Sequence, residues 1–180
     1  HYTGTSLQSL DEVRQAMRTY RDEYDTRYLK SYLIGNRQQR QWVVQAAREL
    51  GLLVTTEGGA DAKANLTHAM DGFAGNEHAL PVAPLYDDVV QLLAQAGIAY
   101  TPTLVVAFGA ALPIFRLHAA ERAHTIPKVD RWYPTGDLYE RSQTRLLSFP
   151  PQDYNDREAG LGATAILRAG GHLALGGHGE

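Results

Sequence analysis

Apolar positions along this chain recur at helical spacing in some stretches and in short, nearly continuous or alternating runs in others. Leu10, Val13, Met17 and Tyr20 fall on one helical face, and Thr5-Ser6 ahead of Leu7 reads as the helix start. Tyr28 to Leu33 (YLKSYL) alternates as a strand does. Asn36 then opens a helix over 37–50, with Trp42, Val43, Ala46 and Leu50 on one face and Gly51 in the position that ends helices. A strand over 52–57, a helix over 61–70 and a short strand over 75–78 follow. Next come a helix over 86–96, closed by Gly97, and a strand over 98–107. Pro102 lies inside that strand and, lacking an amide N–H, predicts a bulge or a strand end. Residues 163–168 belong to a last helix stopped by Gly170-Gly171, and 173–176 form a last strand.

Helix and strand thus alternate about five times, which predicts an α/β fold with a parallel sheet and helices packed outside it. Units of roughly 25 residues match those of a (β/α)8 barrel, which needs about 250 residues in full. The chain is therefore either an open sheet or a partial (β/α)8 TIM-type barrel, about strands 4 to 8, with the first strands upstream. One long interruption, 109–158, precedes the last strand. It is rich in His, Arg, Tyr and Pro, and reads as a partly helical insertion or lid over one mouth of the sheet, or as a surface insertion or subunit contact. Residues 1–180 are taken as a single domain of this partial kind, the insertion lying within it.

Composition narrows the function classes. With 180 residues, 44% apolar and 21% charged, one soluble globular domain is expected. A net charge of −3 and a pI near 6.2 give no reason to expect nucleic acid or a membrane as partner. The most apolar window, 98–115, is broken by Pro102 and Pro113 and is too short to span a bilayer. Without cysteine there is no disulfide and no thiolate zinc site, so any metal must be held by His, Asp, Glu or a modified Lys. The chain starts at His1 with no basic-then-apolar leader, and is read as a piece of a longer protein, cytoplasmic or periplasmic.

Four residues stand where parallel α/β folds gather their chemistry, at or near strand ends. Glu57 ends a strand ahead of Gly58-Gly59 and suits a metal ligand or general base, or a capping acid. His78 closes the next strand and suits a metal ligand oriented through its second nitrogen, or a hydrogen-bonded loop histidine. His178 sits among small residues in LALGGHG, and Lys30 faces inward if Leu29 and Ser31 point outward. An inward lysine must be paired, shifted in pKa or chemically modified. His68, mid-helix, reads as structural. No phosphate-binding loop, nucleophile elbow or His-Glu-x-x-His motif is present.

YLKSYLIGNRQQRQW, VTTEGGADAKANLTHAMDGFAGNEH, PLYDDVVQLLAQAGIAYTPTL and AGGHLALGGHG together resemble the C-terminal part of an amidohydrolase-superfamily barrel. The resemblance is to members that follow a TolB-like β-propeller in longer proteins. It implies a metal-dependent hydrolase of amide-like C–N bonds, with one or two divalent ions, zinc first, activating water on a small-molecule or peptide-like substrate. Lys30 then matches a strand-four lysine that is often carboxylated, and His78 a strand-six metal ligand. Glu57 stands where strand five more often has His, and His178 where strand eight usually has the metal-binding, proton-transferring Asp. Thr101 and Thr103, at the end of strand seven, would line the substrate pocket. Implied partners are the upstream part of the same barrel, a β-propeller and a further copy in a homo-oligomer. The strand-one His-x-His pair is not in this chain, so the 180 residues alone are expected to be inactive. The other reading is a barrel that has lost metal chemistry and serves binding or assembly.

Overall fold

A computed structural model describes residues 7–32, 34–120, 126–132, 136 and 148–178. The first helix, α1 (Leu10–Asp22), starts at Ser9, whose hydroxyl accepts the Glu12 N–H. The expected start at Thr5-Ser6 falls outside the described residues. Val13 and Met17 of α1 are buried, and the helix packs on α2 (Arg37–Glu49). Asn36 begins α2 through a reciprocal capping box with Gln39, and Val43, Val44, Ala46 and Ala47 are its buried face.

Five strands, β1 (Tyr28–Ser31), β2 (Leu53–Glu57), β3 (Gly75–Glu77), β4 (Ala99–Thr101) and β5 (His172–Leu173), form one sheet. All are parallel, and their order in the sheet is their order in the chain. Between successive strands run α2, α3 (Ala62–Asp71) and α4 (Asp87–Gln95), and α7 (Asp156–Arg168) precedes β5. A doubly wound sheet reverses its strand order at a switch point; this one does not.

Register sorts the side chains into two faces. Leu29 beside Val54, and Ser31, Thr56, Asn76, Tyr100 and Leu173 in one row, lie on the helix side. All seven are buried or partly buried, and Val54 and Tyr100 belong to the main apolar core with Leu80, Leu93, Ile98 and Ile166. The opposite face carries Tyr28 and Leu53, then Lys30 and Thr55, then Glu57, Glu77 and Thr101. Tyr28 (75%) and Leu53 (51%) are exposed there, so two large apolar side chains sit on the face that carries the charged cluster.

Three elements differ from the sequence reading. The strand expected over 98–107 ends at Thr101: Pro102 donates no ladder bond, Thr103 turns into the left-handed region (φ 44), and a 3-10 turn spans Leu104–Val106. The last helix starts at Asp156 instead of near 163, within the stretch assigned to the insertion. Gly160 and Gly162 hide it by lowering helix propensity, yet Gly162 lets α7 lie against Leu85, which a Cβ there would meet at 2.8 Å. The final strand is His172–Leu173, shorter and earlier than 173–176. Within the interruption the described parts include α5 (Pro113–Ala120), α6 (Pro127–Trp132) and a 3-10 turn at Pro151–Asp153. Its ends meet where Ala111 N–H donates to Asp153 O at 2.9 Å. No helix among the described residues is long and apolar enough to cross a membrane.

Candidate active site

At the C-terminal ends of β1, β2 and β3, on the open face, Lys30, Glu57, Glu77 and His78 come together. Lys30 Nζ lies 2.5 Å from Glu57 Oε2 and 2.5 Å from Glu77 Oε2. Glu57 Oε1 accepts from His78 Nε2, and Thr55 Oγ1 donates to Glu77 Oε1 at 3.1 Å. One carboxylate therefore holds both the ammonium and the imidazole.

The backbone is shaped to deliver these groups. His78 has φ 72, a left-handed conformation that non-glycine residues adopt rarely and at a cost, and its N–H donates to Thr101 O at 2.7 Å. Gly58 N–H donates to Glu77 O at 2.7 Å, and a Cβ on Gly58 would come within 2.4 Å of that oxygen, so the chain after Glu57 can run this close only as glycine. Buried Asn65 of α3 holds the same loop by donating to Gly59 O (2.9 Å) and accepting from Gly59 N (3.1 Å). Below it, Asn76 Oδ1 accepts from His68 Nδ1 at 3.0 Å, which gives His68 the structural place expected of it.

The imidazole of His78 is almost wholly buried. Phe108 meets it edge-on, with centroids 5.6 Å apart, and the His178 ring lies 5.6 Å away at a 50° tilt. When the ring is neutral and Nε2 donates to Glu57, Nδ1 is the acceptor nitrogen; it is buried and has no hydrogen-bond partner among the described residues. Thr101 flanks the cluster, whereas the Thr103 hydroxyl is buried and donates to Thr101 O at 3.3 Å. Gly176 packs on both threonines: a Cβ there would approach Thr103 Oγ1 to 2.2 Å and Thr101 Cγ2 to 2.8 Å. That contact is what carries the segment bearing His178 across the strand ends.

The charges are coupled. Partial burial works against the Lys30 ammonium, but the hydrogen bonds to Glu57 and then Glu77 outweigh it and raise its pKa. Burial likewise acts to raise the Glu57 pKa, and the Lys30 hydrogen bond, the His78 ring in its protonated form and the Lys30 charge together bring it below the ordinary carboxylate value. Glu57 is thus ionised, and its partners are a cation and an N–H.

Four residues singled out in the sequence, Lys30, Glu57, His78 and His178, meet here. Glu77, Asn65, Asn76 and Phe108 were not singled out as site residues. Glu77 had only the signal of standing at the end of an expected strand beside His78; its register with Glu57 is seen in the sheet alone. The other three depend on long-range packing that no local pattern announces.

A divalent metal, with Lys30 carboxylated, is the cofactor the family resemblance implies. The side chains do not fit it in this arrangement. Among the described residues no three His, Asp or Glu side chains converge to hold a metal ion. The Lys30 ammonium already sits between the two carboxylates, and converting it to a carbamate would place three anions in contact.

In comparisons with known proteins, no family model matches the chain, and no curated protein does. Among solved structures it superposes on a bottromycin amidohydrolase with a TM-score of 0.60, at 18% identity, over 95% of this chain and 41% of that one. The fold is similar to that of an amidohydrolase. A protein from Sorangium cellulosum assigned to the mandelate racemase/muconate lactonizing enzyme type also matches, at TM-score 0.39 and 18% identity, over 97% of this chain and 45% of that one. That score carries no structural argument. The chain spans less than half the length of either structure, and identities this low speak of fold alone.

Proposed function

We propose that these residues form the C-terminal part of a (β/α)8-type hydrolase barrel, acting on amide-like C–N bonds through an acid–base pair, Glu57 and His78. The barrel reading is supported by a parallel sheet wound in chain order and by exposed Tyr28 and Leu53 on the face that strands of a closed barrel would enclose. The substrate class follows the resemblance to propeller-linked amidohydrolases and the fold likeness to one amidohydrolase.

The chemistry rests on one observation, the buried Nδ1, unpartnered among the described residues, of an imidazole whose Nε2 is fixed on an ionised carboxylate. In this reading Nδ1 takes a proton from water as its oxygen attacks the substrate carbonyl. Glu57 stabilises the imidazolium that forms, and the proton returns to the leaving nitrogen as the C–N bond breaks. In this reading His178, whose ring lies beside that of His78, shares that transfer, and Thr101 lines the substrate pocket. Nδ1 is buried, so substrate and water reach it only when the side chains around the ring move aside.

The test is amide hydrolysis by the intact protein, wild type against Glu57→Gln, with and without a chelator. A loss on the order of 10² or more in kcat for Glu57→Gln, with wild-type turnover surviving chelation, is the expected result. Turnover abolished by chelation restores the metal-dependent alternative, and no turnover of any amide supports a binding or assembly module.

A further inference from the structure

The chain between β4 and α7 builds an open groove that the acid–base pair does not use. Its volume is about 690 Å³, within the ~300–1,000 Å³ of small-ligand sites. Leu112 and Phe115 line it from one segment of the chain and Phe149 from another, with exposed Gln152 and Asp153 beside them. Hydrogen bonds fix the two segments. Ala111 N–H donates to Asp153 O at 2.9 Å, and Phe149 N–H donates to the Tyr154 hydroxyl at 3.1 Å. Arg116 lies over the Tyr154 ring, 5.0 Å from its centroid, and its charge is balanced by Asp156 at 2.6 Å. The Phe115 and Phe149 rings stand 6.1 Å apart at a 38° tilt, and Phe149 keeps 38% of its surface exposed. That is apolar surface which a ligand would remove from water.

The groove begins beside the candidate active site. Its first residue, Gly109, follows Phe108, whose ring meets the His78 imidazole edge-on. Asn155 Nδ2 donates to Phe108 O at 3.0 Å. Gly109 has φ 88 and lies so close to the turn after His78 that a Cβ on it would come within 2.4 Å of Pro81 O. This end of the groove is therefore fastened to the same turn that carries His78.

We infer that the groove is a subsite for an uncharged, ring-sized apolar group on the amide ligand, and that Phe115 and Phe149 set this preference. The inference rests on the amide-hydrolase reading of Glu57 and His78 for what the ligand is. A ring placed here pairs with Phe115 and Phe149 in the offset or edge-on manner that aromatic groups favour, while the amide extends past Phe108 toward His78. The Asp153 carboxylate disfavours an anionic group in the same place.

N-acetyl-phenylalanine amide and N-acetyl-alanine amide, compared on the intact protein by NMR titration and by hydrolysis, test it. The phenylalanine amide is expected to bind about tenfold or more tightly, with kcat/KM higher by a similar factor. It should shift the Phe115 and Phe149 ring resonances, and the alanine amide should not. Phe149→Ala removes one wall, and Ala110→Leu fills the groove from an exposed position; each should bring the ratio near one. Circular dichroism confirms that the variants are folded. Equal binding of the two amides overturns the inference, as does a preference that survives in either folded variant. Should neither variant fold, wild type decides, because ring resonances that do not move also overturn it. Preferential binding without turnover of either amide supports the groove and removes the hydrolase reading. Turnover of both amides with equal affinity and equal kcat/KM keeps that reading and overturns the groove.

Discussion

Lys30 Nζ reaches Glu77 Oε2 at 2.5 Å across an intervening strand, for Lys30 is on β1, Glu77 on β3, and β2 lies between them. The two strand spacings, roughly 10 Å in all, are bridged by the long lysine stem and the Glu77 side chain reaching toward each other. Lys30 also picks up Glu57 of β2 on the way. Three strand ends are thereby tied by a single ammonium, and Glu57 is fixed well enough to orient His78. The ion pairs are only partly shielded, so their main contribution is geometric, and their net effect on stability is modest.

Asn65→Ala removes the clamp on the loop after Glu57. Asn65 is 2% exposed and makes both of its Gly59 hydrogen bonds from inside the fold. Its loss leaves the Gly59 N–H and C=O without these partners, at a cost of about 1–3 kcal/mol. The urea midpoint should fall accordingly. Hydrolysis should fall further than a variant of equal instability far from the loop, because Glu57 is the last strand residue before it.

His68 predicts a stability loss on mild acidification. Burial holds its pKa below the ordinary value, with the hydrogen bond to Asn76 opposing that shift. The unfolded chain takes up a proton near pH 6.5, and the folded chain only at lower pH. Between those two points the unfolded state binds more protons, so stability is full above about pH 6.5 and declines as pH falls toward the folded pKa. Urea midpoints at about pH 7.5 and 5.5 should differ in this direction, and His68→Gln should reduce the difference while lowering stability at the upper pH.

Much of this arrangement was legible in the sequence. Alternation of helices and strands follows from local spacing, and Asn36, Gly51 and Asp61 act at the helix ends where their chemistry places them. Lys30 could be assigned to the face opposite Leu29 because strand side chains alternate. What stayed hidden depends on contacts far apart in the chain. α7 begins seven residues before the expected 163 (at Asp156) because tertiary burial of Ala159 and Gly162 overrides two glycines. The strand after Gly97 stops at Thr101 because Pro102 and the left-handed Thr103 redirect the chain, an outcome the proline signalled without fixing the residue. Glu77 became part of the site only through register, which a single strand does not reveal.

Tyr100→Phe tests the support beneath His78. Tyr100 is 1% exposed, its pKa pushed up to about 12 by burial, and its hydroxyl accepts the Leu80 N–H at 2.9 Å. Phenylalanine keeps the packing and leaves a buried N–H unpaired, at about 1–3 kcal/mol. The chemical denaturation midpoint should drop by that amount. Hydrogen exchange at Leu80 should quicken more than exchange in α1 or α2, since the lesion is local to the turn that follows His78.

Gly176 and its neighbour Gly177 give a matched pair for the C-terminal segment. A Cβ on Gly176 would lie 2.2 Å from Thr103 Oγ1 and 2.8 Å from Thr101 Cγ2, whereas one on Gly177 meets nothing within 4 Å. Thr103 is buried and its hydroxyl is engaged with Thr101 O, so it yields little room, and the added methyl must push the segment outward. His178, two residues on, would then lose its place beside the His78 ring. Gly176→Ala should shift the ring resonances of both histidines and cut hydrolysis by about tenfold, the scale of a misplaced acid–base partner. Because β5 and α7 precede the segment, the loss of global stability should stay near 1 kcal/mol or below. Gly177→Ala should leave the spectra and the rate unchanged. Equal effects from both substitutions, measured by two-dimensional NMR of the histidine rings, would show that flexibility and not the contact with Thr101 and Thr103 sets the position of His178.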